Sequence, residues 1–232
     1  MCGRYSIAAE RQDLEERFGA TFSDSSLALT RRYNAAPSQA LPVILNREPS
    51  HIRLLPWGIH PPWFKRSRSD GLINVRMETL RDKPTFKADL AERRCLVLAD
   101  GFYEWQKTPG GKVPYRFVVG DGEPFAFAGI WEESLGGAGP RLSFAIVTAP
   151  ADAVVAPVHN RMPVILPKDV EREWISPSRS PAEALSVLAD ASRVALRAYP
   201  VSSLVNRASV DSPELIEPVG DRERGQRELW DR

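Results

Sequence analysis

Residues 95–131 read CLVLADGFYEWQKTPGGKVPYRFVVGDGEPFAFAGIW, and this stretch decides the predicted fold. Its three apolar segments, at 95–99, 115–119 and 125–131, are short and rich in β-branched and aromatic residues. Glycine clusters at 110–111 and 120–122 interrupt them. Short apolar segments separated by turn residues are typical of strands joined by hairpins. We therefore expect a sheet at the centre of the molecule.

Similar apolar segments occur along the rest of the chain, at 42–45, 52–55, 142–147, 163–166 and 198–201. Four stretches predict short helices: 9–18, 86–93, 168–174 and one that begins at Ser180, where Pro181 and Glu183 complete a capping-box pattern. Many strands with few long helices predict an α+β fold, a single domain with a largely antiparallel, barrel-like β core and flanking short helices. The predicted domain spans 2–221, and 222–232 is a polar C-terminal tail.

Composition and charge limit the classes of protein to consider. The chain has 232 residues, of which 43% are hydrophobic and 26% are charged, as in ordinary globular proteins and unlike disordered chains. The formal net charge of +1 gives no global attraction to nucleic acid, so such a role must depend on a local patch. Residues 60–94 hold nine basic and five acidic side chains, which makes them the candidate patch or simply a solvated face.

The cysteines and histidines indicate what the protein lacks. Cys2 and Cys95 are the only cysteines, and with three histidines they do not show the spacing of a zinc site, so we expect no metal and no cofactor. Two cysteines form no disulfide framework, which favours a reducing cytosol and a cytoplasmic protein. The first residues have no apolar signal segment, and no stretch approaches ~18 apolar residues, so we expect no membrane contact.

Cys2 has unusual chemistry if Met1 is removed, as is usual before a small residue. The product carries an α-amine with an ordinary pKa of about 7.7–8.0 beside a thiol with a pKa of about 8.5. The amine can form a Schiff base with an aldehyde, and the thiol can then close a five-membered thiazolidine ring. Taken alone, a cysteine at this position is more often an N-terminal residue that has no role.

Asn74 and Arg76 lie two residues apart, so their side chains point the same way on an extended segment. Arg76 can bind an anion there while the Asn74 amide orients a reactant. A loop with a structural asparagine is the alternative interpretation.

Glu104 and His159 are the candidate proton carriers. Glu104 lies in the sequence GFYEW, where aromatic neighbours would desolvate the carboxylate and raise its pKa towards the range useful for proton transfer. His159 precedes Arg161 by two residues, a spacing that presents a proton donor and a phosphate contact on one side. The alternatives are a solvated Glu104 at a strand end and a structural His159.

Several motifs follow one another along the chain: MCGRY at 1–5, YNAAP at 33–37, WG at 57–58 with Trp63, NVR at 74–76, ADGFYEW at 99–105, HNRMP at 159–163 and IEPV at 216–219. In this order they resemble the motifs of the SRAP family of abasic-site processing proteins. The resemblance covers roughly residues 2–220.

The resemblance implies covalent capture of single-stranded DNA at an abasic site. Mature Cys2 would be the nucleophile, its amine attacking C1′ of the ring-opened deoxyribose and its thiol completing the thiazolidine. Glu104 would shuttle protons, Asn74 would position the amine and the sugar, and His159 would act as an acid or hydrogen-bond donor. Weak strand cleavage and reversal of the crosslink are further implied activities.

The resemblance also implies a DNA-binding set and a simple state of assembly. The expected DNA contacts are Arg4, Asn34, Pro37, Trp57, Trp63, Arg76, Thr148 and Arg161. We expect a monomer whose partner is single-stranded DNA that contains an abasic site.

Two other functions are compatible with the same residues. A cysteine peptidase would use Cys2 as a thiolate nucleophile and His159 as its base, and would release a short N-terminal peptide. A non-catalytic single-stranded DNA-binding module would bind intact and abasic strands equally and reversibly.

Overall fold

In a computed structural model of the chain, residues 2–24, 29–61, 71–136, 139–189 and 194–220 are described, except for the side chains of 85, 135, 136, 139 and 140. The predicted tail at 222–232 and the predicted DNA contact Trp63 lie outside the described residues. Within these ranges the strands are β1 (Tyr5–Ile7), β2 (Thr21–Phe22), β3 (Arg32–Ala35), β4 (Ala40–Leu45), β5 (His51–Pro56), β6 (Asn74–Arg76), β7 (Arg94–Ala99), β8 (Gly101–Thr108), β9 (Gly111–Val119), β10 (Phe125–Gly136), β11 (Gly139–Pro150), β12 (Arg161–Pro163), β13 (Ile165–Leu166) and β14 (Leu196–Pro200). The helices are α1 (Arg11–Phe18), α2 (Met77–Asp82), α3 (Lys87–Glu92), α4 (Lys168–Trp174) and α5 (Pro181–Ala189), with 3-10 turns at Pro84–Phe86, Ser203–Asn206 and Pro213–Ile216.

The strands form two sheets. One has the order β14-β9-β8-β1-β3, and the other has the order β12-β11-β10-β7-β4-β5-β2, with β13 paired to β10 and β6 paired to β11. Strand pairs are antiparallel except β2 with β5 and β6 with β11, which confirms the expected α+β, largely antiparallel fold. Neither strand order closes on itself among the described residues, so the expected barrel is better described as two sheets.

Aromatic side chains join the two sheets into one core. Phe127 of β10 makes edge-to-face contacts with Tyr5 of β1 and Phe102 of β8, with ring centroids 5.8 and 6.1 Å apart. Phe102 also stacks on Phe117 of β9 at 4.9 Å. All four side chains are fully buried. Aromatic pairs stabilise a core beyond the burial of their surface, so this cluster holds β1 against β10 of the other sheet. β1 begins three residues after Cys2.

The predicted helix ends are confirmed. Gly19 follows α1 with a φ of 56°, the left-handed conformation that favours glycine, and its amide closes the last turn. At the start of α5, the Ser180 amide donates to Glu183 Oε2 at 2.8 Å, and the Glu183 amide donates to Ser180 Oγ at 3.3 Å. This reciprocal pair is the capping box that the sequence predicts. The sequence missed α2, which follows directly on β6.

Arg94 is a fully buried cation at the start of β7. Its guanidinium donates to the Ala91, Trp174 and Ser176 carbonyls at 2.8, 2.6 and 2.6 Å, and also to the Leu90 carbonyl. These acceptors lie at the C-terminal ends of α3 and α4, where helical carbonyls lack partners and a cation is favoured. Arg94 therefore attaches both helices to the sheet.

We expect Arg94→Ala to lower the free energy of unfolding by about 3–5 kcal/mol, because four buried or partly buried carbonyls lose their donor at once. Arg93→Ala is the matched control, since half-buried Arg93 makes one i,i+4 pair with Asp89 at 2.7 Å. That pair is worth less than about 1 kcal/mol. Urea unfolding of the three proteins measures the difference, and equal losses for the two variants would contradict this role of Arg94.

Candidate functional site

The pairing of β1 with β8 brings the N-terminal residues to the centre of the site. Tyr5 pairs with Phe102, and the Tyr103 amide donates to the Arg4 carbonyl at 3.0 Å. Because the two strands are antiparallel, residues that precede Tyr5 run beside those that follow Phe102. This register places Cys2 alongside the segment that carries Glu104.

Cys2 is fully buried and held at both its main chain and its side chain. Its carbonyl accepts a hydrogen bond of 2.7 Å from Asn74 Nδ2, and its Sγ lies 3.7 Å from the Arg4 carbonyl. Burial raises the pKa of the Cys2 thiol far above its usual range, and the negative charge of Glu104 raises it further. The thiol is therefore neutral at physiological pH.

Glu104 lies on β8 and is only 3% exposed. Burial raises the pKa of its carboxyl above the ordinary 4.5, and nearby positive charge, including that of protonated His159, opposes the rise. A carboxyl whose pKa is raised by desolvation is a better proton acceptor than an ordinary glutamate and can return the proton afterwards. The aromatic neighbours in the sequence predict that Glu104 is desolvated, and in the structure its side chain is buried.

Asn74 reaches Cys2 from the other sheet. It begins β6, pairs in parallel with Ile146 of β11, and is buried. While Nδ2 donates to the Cys2 carbonyl, Oδ1 is buried without a hydrogen-bond partner among the described residues. A buried acceptor without a partner is costly, so this oxygen is suited to an incoming donor.

His159 precedes β12 and is half-buried. Its Nδ1 lies 3.0 Å from the Arg161 amide nitrogen and 3.0 Å from the Arg161 carbonyl oxygen. The amide can only donate and the carbonyl can only accept, so Arg161 offers Nδ1 a partner in either tautomer of the neutral ring. The carbonyl also accepts from Nδ1–H once the ring is protonated.

The structure thus brings together the four residues that the sequence grouped by chemistry. Asn74 bonds to Cys2, the charge of Glu104 acts on the Cys2 thiol, and His159 acts electrostatically on Glu104. They come from the N-terminal segment, β6, β8 and the loop before β12, which are far apart in sequence.

Among the predicted DNA contacts that the structure describes, Arg76 is exposed, and Pro37, Arg4 and Arg161 are half-buried. Arg76 lies at the end of β6, and Pro37 lies in the turn after β3. Arg76 pairs in register with Thr148 of β11, whose own side chain is fully buried. Arg76 is therefore the predicted cation best placed to meet a phosphate.

Arg161 is engaged within the protein. Its two terminal nitrogens bond to the two carboxylate oxygens of Glu78 at 2.6 and 3.0 Å, and Nη2 also donates to the Thr148 carbonyl at 2.6 Å. Its Nε is buried without a hydrogen-bond partner among the described residues. Glu78 had no role in the sequence analysis, because sequence does not show which cation a carboxylate meets across 83 residues.

Arg4 and Asn34 hold the C-terminal strap, which we define as residues 201–219. Arg4 Nη1 donates to both Asn34 Oδ1 and the Val205 carbonyl at 2.8 Å. Asn34 Nδ2 donates to the Val210 carbonyl at 2.7 Å, and Trp105 Nε1 donates to Asn206 Oδ1 at 2.6 Å. The strap therefore lies against β3 and β8.

Trp57 lies in the core rather than on a groove. It is fully buried, its Nε1 donates to the Ile73 carbonyl at 2.8 Å, and its ring contacts Tyr5 and Phe144. Its contact with Tyr5 connects it to the strand that follows Cys2.

The described residues contain no set of three or more His, Cys, Asp or Glu side chains arranged to hold a metal ion. None of their helices has the length and apolarity needed to cross a membrane.

Comparisons with known proteins find a matching family, similar proteins and a similar solved structure. The family described as SOS response associated peptidase (SRAP) matches residues 1–208. The chain is 38% identical over 223 residues to the abasic site processing protein YoqW of Bacillus subtilis (strain 168), covering 94% of this chain and 99% of that protein. It is 31% identical to the abasic site processing protein YedK of Escherichia coli (strain K12), covering 94% and 100%. A crystal structure of a protein from Bacteroides thetaiotaomicron superposes with a TM-score of 0.78 at 25% identity, covering 94% and 100%.

Proposed function

This chain belongs to the SRAP family, and from that membership we propose that it binds single-stranded DNA at abasic sites and joins covalently to the lesion through Cys2. Removal of Met1 is the first requirement, because it frees the α-amine. The observation that carries the proposal is that Asn74 and Glu104 act on Cys2 while His159 acts on Glu104. The names of the relatives, abasic site processing proteins, support the same lesion.

The proposed reaction has two steps that balance without a cofactor. The Cys2 amine attacks the C1′ aldehyde of the ring-opened sugar, and one water leaves as the imine forms. The thiol then adds across the carbon–nitrogen double bond, its sulfur binding carbon and its proton ending on the ring nitrogen. Because the thiol starts neutral, a base must accept its proton as sulfur attacks.

Each neighbouring side chain has a proposed role in these steps. Glu104, whose pKa is raised by burial, moves protons to the leaving water and from the thiol. Asn74 fixes the Cys2 carbonyl, and its free Oδ1 receives a donor from the amine or the sugar. His159, whose ring lies against the Arg161 main chain, acts as an acid or hydrogen-bond donor to the sugar or to the adjacent phosphate.

The DNA strand is proposed to lie along the exposed edge beside Arg76. Arg76 contacts a phosphate directly, and Arg4 and Arg161 each retain a buried Nε that completes the anion site. Pro37 lines the groove, and the sequence predicts Trp63 as a contact for a base, where a base–aromatic stack is worth ~1–3 kcal/mol. The buried side chains of Asn34, Trp57 and Thr148 support this surface from behind. Phosphate contacts make the binding sensitive to salt and largely indifferent to sequence.

The family description favours one competing function, a peptidase with Cys2 as nucleophile and His159 as base. A cysteine peptidase needs a thiolate, and catalytic cysteines have a lowered pKa. The pKa of the Cys2 thiol is raised by burial and by Glu104. This environment suits a thiol that reacts second, after an amine, and supports crosslinking over peptide cleavage.

We expect the purified protein to form an adduct with an abasic single-stranded oligonucleotide that survives denaturing electrophoresis. An intact oligonucleotide of the same sequence is the control and should give no shifted band. The adduct mass should equal protein without Met1 plus oligonucleotide minus one water. A protein that has lost Met1 and gives no adduct would refute the proposed function, and a processing defect confined to catalytic variants would favour the peptidase.

A further inference from the structure

An exposed apolar turn lies in the loop between β11 and β12. Pro150 of β11 pairs with Arg161 of β12, so residues 151–160 form the loop of a hairpin. Val154 and Leu204 are the two large apolar side chains that the described residues expose, each at 38%. The exposed apolar residues of the loop, which we call the apolar platform, are Ala153, Val154, Ala156 and Pro157. Such a group differs from the single apolar side chains that are scattered over an ordinary surface.

The main chain of this turn is fixed by its own hydrogen bonds. Asp152 Oδ1 accepts from the Val154 and Val155 amides at 2.9 and 2.8 Å. The side chain of Val155 is fully buried in the core, and its carbonyl accepts from the His159 amide at 2.9 Å. The platform is therefore held facing solvent, and a ligand binds it without first having to order the loop.

A hydrogen bond connects the platform to the strand that carries Glu104. Gln106 Nε2 donates to the Pro157 carbonyl at 3.3 Å. Glu104 and Gln106 are two residues apart on β8, so their side chains share a face of the strand and start about 7 Å apart along it. His159 follows Pro157 by two residues. The platform therefore borders the proposed sugar site without covering it.

An occupant of the platform has to lie beside the abasic sugar and has to carry apolar surface. A nucleotide that flanks an abasic site has lost one stacking neighbour, so one face of its base is uncovered. Side chains that cover a base in this way contribute to binding whatever the base is, and proteins place apolar side chains, proline among them, against unstacked bases. The platform contains no charged residue, which suits a base better than a phosphate.

We propose that the apolar platform packs against the base of the nucleotide that flanks the abasic sugar. The inference rests on the proposed function for the position of the sugar, but it concerns binding and not the covalent step. In an intact strand the same base keeps both of its stacking neighbours and gains less from the platform. The contact therefore favours abasic over intact strands.

Val154→Ser is the test, because it removes apolar surface at an exposed position. The probes are three single-stranded oligonucleotides of one sequence that carry tetrahydrofuran, an abasic analogue without an aldehyde. The first has one such residue, the second has another in place of its 5′ neighbour, and the third has another in place of its 3′ neighbour. We expect Val154→Ser to raise the Kd of the first roughly fivefold, the low end of the loss of a base stack, and to leave the Kd of either the second or the third unchanged.

Leu204→Ser is the matched control, since Leu204 is equally exposed but lies on the strap. This variant should act on all three oligonucleotides alike. An unchanged Kd for Val154→Ser would overturn the proposal, and so would a loss of equal size on all three oligonucleotides, because no flanking base would then be the partner. A dimer of the free protein that dissociates in Val154→Ser would also overturn it, since a second copy of the chain would then cover the platform. If the wild type binds the analogue but forms no adduct with reactive abasic DNA, the covalent function fails while the Kd values still decide the role of the platform.

Discussion

Cys2→Ala should eliminate the adduct that survives denaturation, while leaving a reversible complex with abasic DNA. Alanine retains the α-amine after removal of Met1, so an imine can still form. Without sulfur the ring cannot close, and the imine hydrolyses when the protein unfolds. Denaturing electrophoresis should therefore show a strong band for the wild type and none for the variant.

Borohydride separates the two steps of this reaction. Reduction of the imine before denaturation should restore the band for Cys2→Ala and for Cys2→Ser, because both keep the amine. Cys95→Ala is the matched control, since Cys95 is the other buried free cysteine and lies outside the proposed site. A Cys2→Ala adduct as stable as that of the wild type would exclude the thiazolidine.

Glu104→Gln should slow adduct formation by roughly 10²–10⁴-fold, the range that proton transfer by a side chain supplies. Glutamine keeps the shape of the side chain but neither accepts nor releases a proton. Single-turnover rates on saturating abasic oligonucleotide measure the loss. A rate equal to that of the wild type would remove Glu104 from the proposed mechanism.

The same variant should be more stable than the wild type at neutral pH. Burial raises the pKa of Glu104 above 4.5, so the unfolded chain ionises this carboxyl more readily than the folded protein. Below the ordinary pKa, Glu104 is protonated in both the folded and the unfolded chain and does not lower the free energy of unfolding. Above that pKa, Glu104 lowers the free energy of unfolding increasingly, until the carboxyl of the folded protein also ionises. Glutamine carries no such cost at any pH.

Urea unfolding from about pH 4 to pH 8 tests this second effect, with the free energies of the two proteins expected to diverge as pH rises through the ordinary range for glutamate. Glu123→Gln is the control, because Glu123 makes only a solvent-exposed pair with Lys168. A variant that is less stable than the wild type at pH 7.5 would show that the ionised carboxylate is well satisfied in the folded protein.

The regular strands and helix ends were predictable because their apolar patterns are strong. The segments at β4, β5, β7, β9, β10 and β11 all coincide with predicted strands. In contrast, β1, β2, β3, β6 and β8 were not predicted as strands, and β1, β6 and β8 lie beside or within the site. Asn74, Arg76 and Glu104 interrupt the alternation of apolar residues in β6 and β8. Polar residues of the candidate site therefore remove the pattern by which these strands could be predicted.

The grouping of Cys2, Asn74, Glu104 and His159 was predictable from their chemistry and from the family motifs. The exposure of the proposed DNA contacts was not. Trp57 follows a strand and precedes a basic segment, a pattern compatible with both a groove and a core, and the structure buries it fully. Long-range ion pairs such as that of Glu78 with Arg161 depend on topology, which no local pattern contains.

The attachment of the strap also bears on biosynthesis. Arg4 precedes its acceptor at Val205 by 201 residues, and Asn34 precedes its acceptor at Val210 by 176 residues. These hydrogen bonds therefore form only after the strap has been synthesised and has folded back. If Cys2 captures aldehydes as proposed, an incomplete polypeptide would lack the contacts that order the segment around it.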